Sequence, residues 1–177
     1  GQTPSFTGSL VRVEGEDVGE YTILRGDLAL VDNGTFLASN YELEFVEGKI
    51  FTITKAQLTV TVKDEVVTYG DELPTYDYDV SGLKNGDTKE TVFTTKPILT
   101  CSYALYDDVG NGSYTISADN AEAKNYEIVY VNGSLTVKQR TVTVEWSSEI
   151  SFKFDGKEHT VKATIGNLVN NDQVWFI

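Results

Sequence analysis

Few side chains in this 177-residue sequence are equipped for chemistry, and their types limit what that chemistry is. His159 is the single histidine and Cys101 the single cysteine. Catalysis through His159 needs a nucleophile and an orienting carboxylate around it, and no Gly-x-Ser-x-Gly element supplies one. Cys101 alternates with Leu99 and Tyr103 on one strand face, the setting of a small buried hydrophobe rather than of an activated thiolate. One Cys and one His form neither a disulfide framework nor a Cys/His zinc site within a chain. Asp77 and Asp79 stand two apart on a strand, about 7 Å, a separation that glycosidases use. Their strand turns Tyr76, Tyr78 and Val80 the other way, so the two acids read as a solvated face, where nothing raises a carboxyl pKa.

Calcium and covalent cross-linking complete the chemical inventory. Asp107-Asp108-Val109-Gly110-Asn111 and Glu14-Gly15-Glu16-Asp17 are acidic turns ahead of similar strands. Asp107 and Asp108 are the candidate Ca²⁺ ligands, although EF-hand spacing is absent. Lys63, Lys96 and Lys138 lie near strands, as cross-linking lysines do, but spacing places neither an acceptor nor a catalytic acid beside them. The expectation is therefore a protein without a resident cofactor, calcium being the one ion in view.

Composition narrows the partners. The chain carries 14 Lys+Arg against 27 Asp+Glu, a formal net charge of −13. Such a surface repels phosphate backbones and anionic lipid headgroups, so neither nucleic acid nor membrane binding is expected. No apolar run approaches the roughly 18 residues of a membrane span, and no basic-then-apolar leader opens the sequence. A hydrophobic fraction of 40% with 11% aromatics is enough for one or two cores. There is no Met, so Gly1 reads as the start of a piece of a longer protein.

The elements that position these residues have a period of two. Gln57-Leu58-Thr59-Val60-Thr61-Val62, Tyr76/Tyr78/Val80, Leu99/Cys101/Tyr103/Leu105, Tyr114/Ile116/Ala118 and Val142/Val144/Trp146 each put apolar side chains on one face. Asn33-Gly34, Asn85-Gly86, Asn111-Gly112 and Asn132-Gly133 read as tight turns that need a positive φ. One short helical turn is expected over residues 87–93, with Asp87 as cap and Glu90 three residues on. The fold class is mostly β, built of antiparallel sheets.

The sequence also repeats itself. Gly19-Glu20-Tyr21-Thr22-Ile23 returns as Gly112-Ser113-Tyr114-Thr115-Ile116. Asn40-Tyr41-Glu42-Leu43 returns as Asn125-Tyr126-Glu127-Ile128, an offset of 85 residues (126 − 41). At the same offset Glu47-Gly48-Lys49-Ile50 falls on Asn132-Gly133-Ser134-Leu135, Tyr69-Gly70 on Phe154-Asp155-Gly156, and residues 81–87 on residues 166–172. Tandem modules of about 85 residues follow, with at most one short helix each. In this register residues 1–56 are the second half of a first repeat, 57–139 a complete central repeat, and 140–177 the first half of a third. Half a β domain leaves strand edges and a core open. The expectation is that segment 140–177 of one molecule completes segment 1–56 of another, head-to-tail or as a swapped dimer.

Val67-Thr68-Tyr69-Gly70-Asp71-Glu72-Leu73-Pro74, Ser81-Gly82-Leu83, Gly112-Ser113-Tyr114-Thr115-Ile116 and Asn125-Tyr126 leading to Asn132-Gly133-Ser134-Leu135-Thr136-Val137 together resemble the MBG domain of YGX type. Residues 6–41 resemble the second half of the same domain, while Phe154-Asp155-Gly156-Lys157 departs to a Tyr-Asp-Gly-like variant. The resemblance implies an extracellular location, on the bacterial cell surface or secreted, in tandem arrays of adhesin-like proteins whose partners are neighbouring repeats. It carries no characterised active site, so no enzyme is expected.

Tyr69, Gly70, Gly82, Gly112, Tyr114, Tyr126 and Gly133 are then structural motif residues. The order of elements leaves open a β-grasp-like sheet, which a well-formed helix at 87–93 would favour, or an immunoglobulin-like sandwich. The leading functional expectation is a stalk or spacer that also offers an adhesive surface. The alternative is direct binding of host glycan or mucin through water-facing rings, with Tyr76, Tyr106 and Tyr130 as candidates and Trp175 from the tail. An accessory module of an enzyme would need a deep pocket of convergent carboxylates.

Overall fold

The computed structural model of the protein describes residues 3–146 and 150–174; Trp175 lies outside the described residues. In chain order the strands are β1 (Phe6–Thr7), β2 (Val11–Arg12), β3 (Gly19–Leu24), β4 (Ala29–Leu30) and β5 (Ile50–Ile53). Then come β6 (Ala56–Val62), β7 (Glu65–Thr68), β8 (Tyr78–Ser81), β9 (Ile98–Cys101) and β10 (Ser113–Asp119). Last are β11 (Tyr126–Val131), β12 (Gly133–Lys138), β13 (Thr143–Trp146) and β14 (Ala163–Gly166). The fold is mostly β. It divides into two compact units, one of the described residues up to Leu58 with Gly82–Lys96 and Ala121–Val129, the other of Thr59–Ser81, Pro97–Asn120 and the described residues from Tyr130 onward.

In the first unit β3 is the middle strand of the sheet β2-β3-β5, and β1 pairs with β4. Arg12 lays its guanidinium over the rings of Tyr21 and Phe51, 5.0 and 4.9 Å from their centroids. The helical turn expected at 87–93 is a single turn, closed by Val92 N–H donating to the Thr88 carbonyl at 2.9 Å. At its start the Thr91 hydroxyl oxygen accepts the Thr88 N–H at 2.9 Å, the reach-back bond expected of Glu90. Asp87 is held elsewhere, by the Tyr126 hydroxyl.

The second unit holds the four-stranded sheet β7-β12-β10-β9 and the β6–β8 pair. β12 runs parallel to β7 with Leu135 opposite Glu65, so this sheet is mixed rather than purely antiparallel. Alternation gives each sheet one dry face: Val67, Ile116, Ala118, Leu135 and Val137 on one, Val60, Val62 and Tyr78 on the other. A sheet with one dry face must bury it against another layer. No α-helix occurs among the described residues to serve as that layer, which weighs against the β-grasp reading.

Two ladders recur. In β3–β5 Tyr21 faces Phe51, and in β10–β12 Tyr114 faces Leu135. Val60 faces Val80 in β6–β8, and Val144 faces Ile165 in β13–β14. The first correspondence corrects the sequence register by one residue. Phe51, not Ile50, occupies the place of Leu135, an offset of 84 (135 − 51). A one-residue slip reverses the facing of a strand, and only the shifted register sets Phe51 and Leu135 alike opposite a tyrosine. The turn after β8 recurs too. Asn85 and Gly86 have φ of 53° and 81°, Asn170 and Asn171 have 54° and 57°. Asp87 N–H closes the first on Lys84 O, and Asp172 N–H the second on Val169 O, both at 2.9 Å.

Asn132-Gly133 departs from the expected turn chemistry. Gly133 has no positive φ; it is required by a close approach, because a Cβ there would lie 2.5 Å from the Lys63 carbonyl oxygen. Next to it, the Asp64 carboxylate accepts the Ser134 hydroxyl at 2.8 Å and the Ser134 N–H at 2.7 Å, which together hold its pKa below the ordinary value. A depressed native pKa adds stability that is present above the unfolded-state value of about 3.9 and is lost as pH falls through the native value. Asp64→Asn is therefore expected to lower Tm at neutral pH, with the difference from wild type closing as pH falls below about 4. A thermal series from pH 7 to roughly 2.5 reads this directly; a pH-independent difference would contradict it.

Candidate functional site

Two sites, one in each unit, use related residues. In the first, Asn125-Tyr126 is seated by two loops. Asn125 Oδ1 accepts the Val18 N–H at 2.9 Å, and its Nδ2 donates to Asp17 at 2.7 Å. Lys124 Nζ reaches the other Asp17 oxygen at 2.5 Å, and these two partners hold the Asp17 carboxyl below its usual range. The Tyr126 hydroxyl accepts the Lys84 N–H at 2.9 Å and donates to Asp87 at 2.6 Å. Its pKa is raised first by the Asp87 bond and then by burial. The ring is 4% exposed, and only a small cavity of about 130 Å³ remains beside it.

In the second unit the Tyr69-Gly70-Asp71 element grips the segment that follows β12. Arg140 donates from Nε to the Tyr69 carbonyl at 2.7 Å, from Nη2 to Asp71, and from Nη1 to Asn167 Oδ1 at 3.3 Å. Asn167 Nδ2 in turn holds the Thr141 carbonyl at 2.9 Å. Gly70, at φ 80°, meets Val169, whose Cγ2 would lie 2.5 Å from a Cβ at that position. The Tyr69 hydroxyl is pushed above its ordinary pKa by burial and then by its hydrogen bond to Asp172. Beside this grip opens a cavity of about 760 Å³ walled by Tyr69, Asp108, Arg140, Asn167, Val169 and Asp172. Its lining offers carboxylates and a guanidinium but no histidine, cysteine or serine.

Tyr21 and Tyr114 perform one task in two places. Each ring lies in its strand and sends its hydroxyl back to the preceding acidic loop, Tyr21 to Asp17 O at 2.7 Å and Tyr114 to Asp108 O at 3.3 Å. This resembles a tyrosine corner. Gly112 ends the short 3₁₀ turn Val109–Asn111 at φ 81°, and Gly82 has a φ of 93°.

The three glycan-candidate tyrosines fall on separate elements and all are half-buried. Tyr76 precedes β8, and its hydroxyl is pushed up to about 12 by burial and by its bond with the Cys101 sulfur. Tyr106 packs edge-on against Tyr69, centroids 6.1 Å apart, and Tyr130 lies on β11. Asp107 accepts the Ala104 N–H at 2.9 Å in a local turn, while Asp108 faces the larger cavity. Among the described residues no three His, Cys, Asp or Glu side chains converge to hold a cation.

The remaining candidates have local partners. His159 stacks on Phe152 at 4.3 Å and contacts Asp155 at 2.9 Å. It precedes β14. Asp77 and Asp79 face solvent, their side chains 49% and 73% exposed, and pair with Lys63 at 2.7 and 3.4 Å. Both contacts raise the Lys63 pKa.

Among the described residues no helix is long and apolar enough to cross a membrane. Residues 58–136 match the MBG domain family of YGX type. No curated protein and no solved structure matches the chain. The matched segment contains Tyr69-Gly70, the residues that meet Asp172 and Val169 beyond it.

Sequence reasoning missed Asp71, Arg140, Val169 and Asp172 as members of this site. The signal was present in the repeat: Asp172 lies 85 residues after Asp87 (172 − 87), and Lys55 holds the place of Arg140 at the same offset. Removing the guanidinium tests the grip. Arg140→Ala is expected to speed amide hydrogen exchange in β14 by roughly tenfold, leaving β10 and β12 unchanged. Equal exchange in the two proteins would show that Arg140 holds nothing in place.

Proposed function

We propose that this chain is a non-enzymatic, tandemly repeated module of a bacterial cell-surface or secreted adhesin-like protein, acting as a stalk or spacer. One observation carries the reading. The signature residues of the MBG domain are occupied in holding the protein's own following segment: Tyr69 through Asp172 and its carbonyl to Arg140, Gly70 through Val169, Asp71 through Arg140. A motif engaged in this way is a joint, and joints that fix one module on the next make an array project instead of coil. The charge of −13 suits that work, since like-charged modules repel and a long array stays soluble and extended. Direct glycan recognition has less support, because Tyr76, Tyr106 and Tyr130 are half-buried and spread over separate elements.

The spacer reading is tested by binding and by mechanics on the same protein. The chain is expected to give no saturable binding to a glycan array or immobilised mucin, with or without calcium. Pulled between its ends, it is expected to resist as folded modules, with Arg140→Ala lowering the first unfolding force. Saturable glycan binding abolished by Tyr106→Ala would replace the spacer with an adhesin.

A further inference from the structure

Among the described residues, the non-glycine positions with a positive φ are asparagines with one exception. Asn85, Asn120, Asn167, Asn170 and Asn171 lie between 53° and 66°, and the exception is Tyr106 at 75°. Asparagine tolerates this region because its short polar side chain bonds locally, whereas a bulky side chain there is strained. The strain falls in a tight turn. Asp107 N–H donates to the Ala104 carbonyl at 3.0 Å, and the Asp107 carboxylate accepts the Ala104 N–H at 2.9 Å. Tyr106 is third of the four residues so closed, a place that suits glycine or asparagine when φ is positive. A strained residue persists where its surroundings hold it, so the side chain is the place to look for the reason.

The half-buried Tyr106 ring meets Tyr69 edge-on, with centroids 6.1 Å apart and planes at 67°. Such a pair is directional and adds attraction beyond the area it covers. Tyr69 is engaged at three points. Its N–H donates to the Lys138 carbonyl at 2.9 Å, and its own carbonyl accepts Arg140 Nε at 2.7 Å. Its hydroxyl donates to Asp172 and accepts from Asn170, both in the loop after β14. The first two bonds are made by the backbone and hold wherever the ring points. The third depends on the ring, because the hydroxyl lies at its far end and reaches that loop in one orientation.

We infer that Tyr106 is a positioning residue: its left-handed backbone aims its ring edge-on at Tyr69, and that contact fixes the phenol where it meets Asp172. An asparagine at this position relaxes the backbone and leaves the Tyr69 ring free to turn. The inference rests on the reading of Tyr69 as part of a joint, and the variants below separate the two.

The test compares Tyr106→Asn and Tyr106→Phe in the whole chain by amide hydrogen exchange. Tyr106→Asn suits the backbone and deletes the ring. It is expected to speed exchange in β14 by roughly three- to tenfold, with β10 and β12 no faster than in wild type. Tyr106→Phe keeps the ring and is expected to match wild type in all three strands. NMR of ring-labelled tyrosine gives a second readout. The Tyr69 pKa, raised by burial and by its bond to Asp172, is expected to fall toward the ordinary tyrosine value in Tyr106→Asn and to stay raised in Tyr106→Phe. In a Tyr69→Phe background the hydroxyl is already gone, so Tyr106→Asn is expected to add less than about twofold to β14 exchange. Wild-type exchange and titration in Tyr106→Asn, with Arg140→Ala still speeding β14, would overturn this inference alone. Equal acceleration of β10, β12 and β14 would also overturn it, since Tyr106 would then be ordinary packing. If Arg140→Ala leaves β14 unchanged as well, the joint and the inference fall together.

Discussion

Gly133→Ala is expected to destabilise the protein by about 3 kcal/mol, at the upper end of what an added methyl does in a packed interior. The new Cβ would lie 2.5 Å from the Lys63 carbonyl oxygen, and 2.9 Å from both the Lys63 carbonyl carbon and the Val62 oxygen. All three atoms are backbone, and Lys63 is further held by its N–H bond to the Asp77 carbonyl at 2.9 Å. Nothing flexible can give way. Relief would require the start of β12 to move, which would disturb its parallel pairing with β7. Gly110→Ala is the control, since its φ is not positive and a Cβ there meets nothing within 4 Å. It is expected to change stability by no more than about 0.5 kcal/mol. Urea unfolding of the two variants measures both; equal midpoints would remove close approach as the reason for this glycine.

Leu135→Ala is expected to lower stability by about 2–5 kcal/mol, the range for deleting a buried leucine side chain. Leu135 is fully buried at 0% exposure and faces Tyr114 across β10–β12. Phe51 has the same place in the ladder opposite Tyr21, but is 43% exposed under Arg12. Phe51→Ala is accordingly expected to cost about 1 kcal/mol or less. The pair separates ladder geometry from burial: equal losses would mean that register, not the covering layer, sets the energy of this ladder.

The strands were legible because one-face burial writes itself as alternation, as in Leu58-Thr59-Val60-Thr61-Val62. Pairing was less legible. The parallel partnership of β12 with β7 depends on where the chain crosses, and alternation looks the same in either direction. The single turn after Asp87 shows a different limit: Asp87 has cap chemistry, but the Tyr126 hydroxyl claims its carboxylate from a distant part of the sequence. At the site, Tyr69 and Gly70 stood out as a motif while their partners did not. Arg140, Val169 and Asp172 are ordinary surface residues in sequence, and only the fold brings them to the motif. The one-residue correction at Phe51 has the same origin, since a conservative Ile50–Leu135 match outweighed the facing of the strand.

Whether the Tyr-Gly-Asp element is a joint is tested most directly by backbone ¹⁵N relaxation on the uniformly labelled chain. The account predicts that amides of β13 and β14 tumble with the same correlation time as those of β10 and β12, and that Arg140→Ala releases β13 and β14 to faster motion. Faster, independent tumbling of β13 and β14 already in the wild type would contradict it, because the element would then be holding nothing.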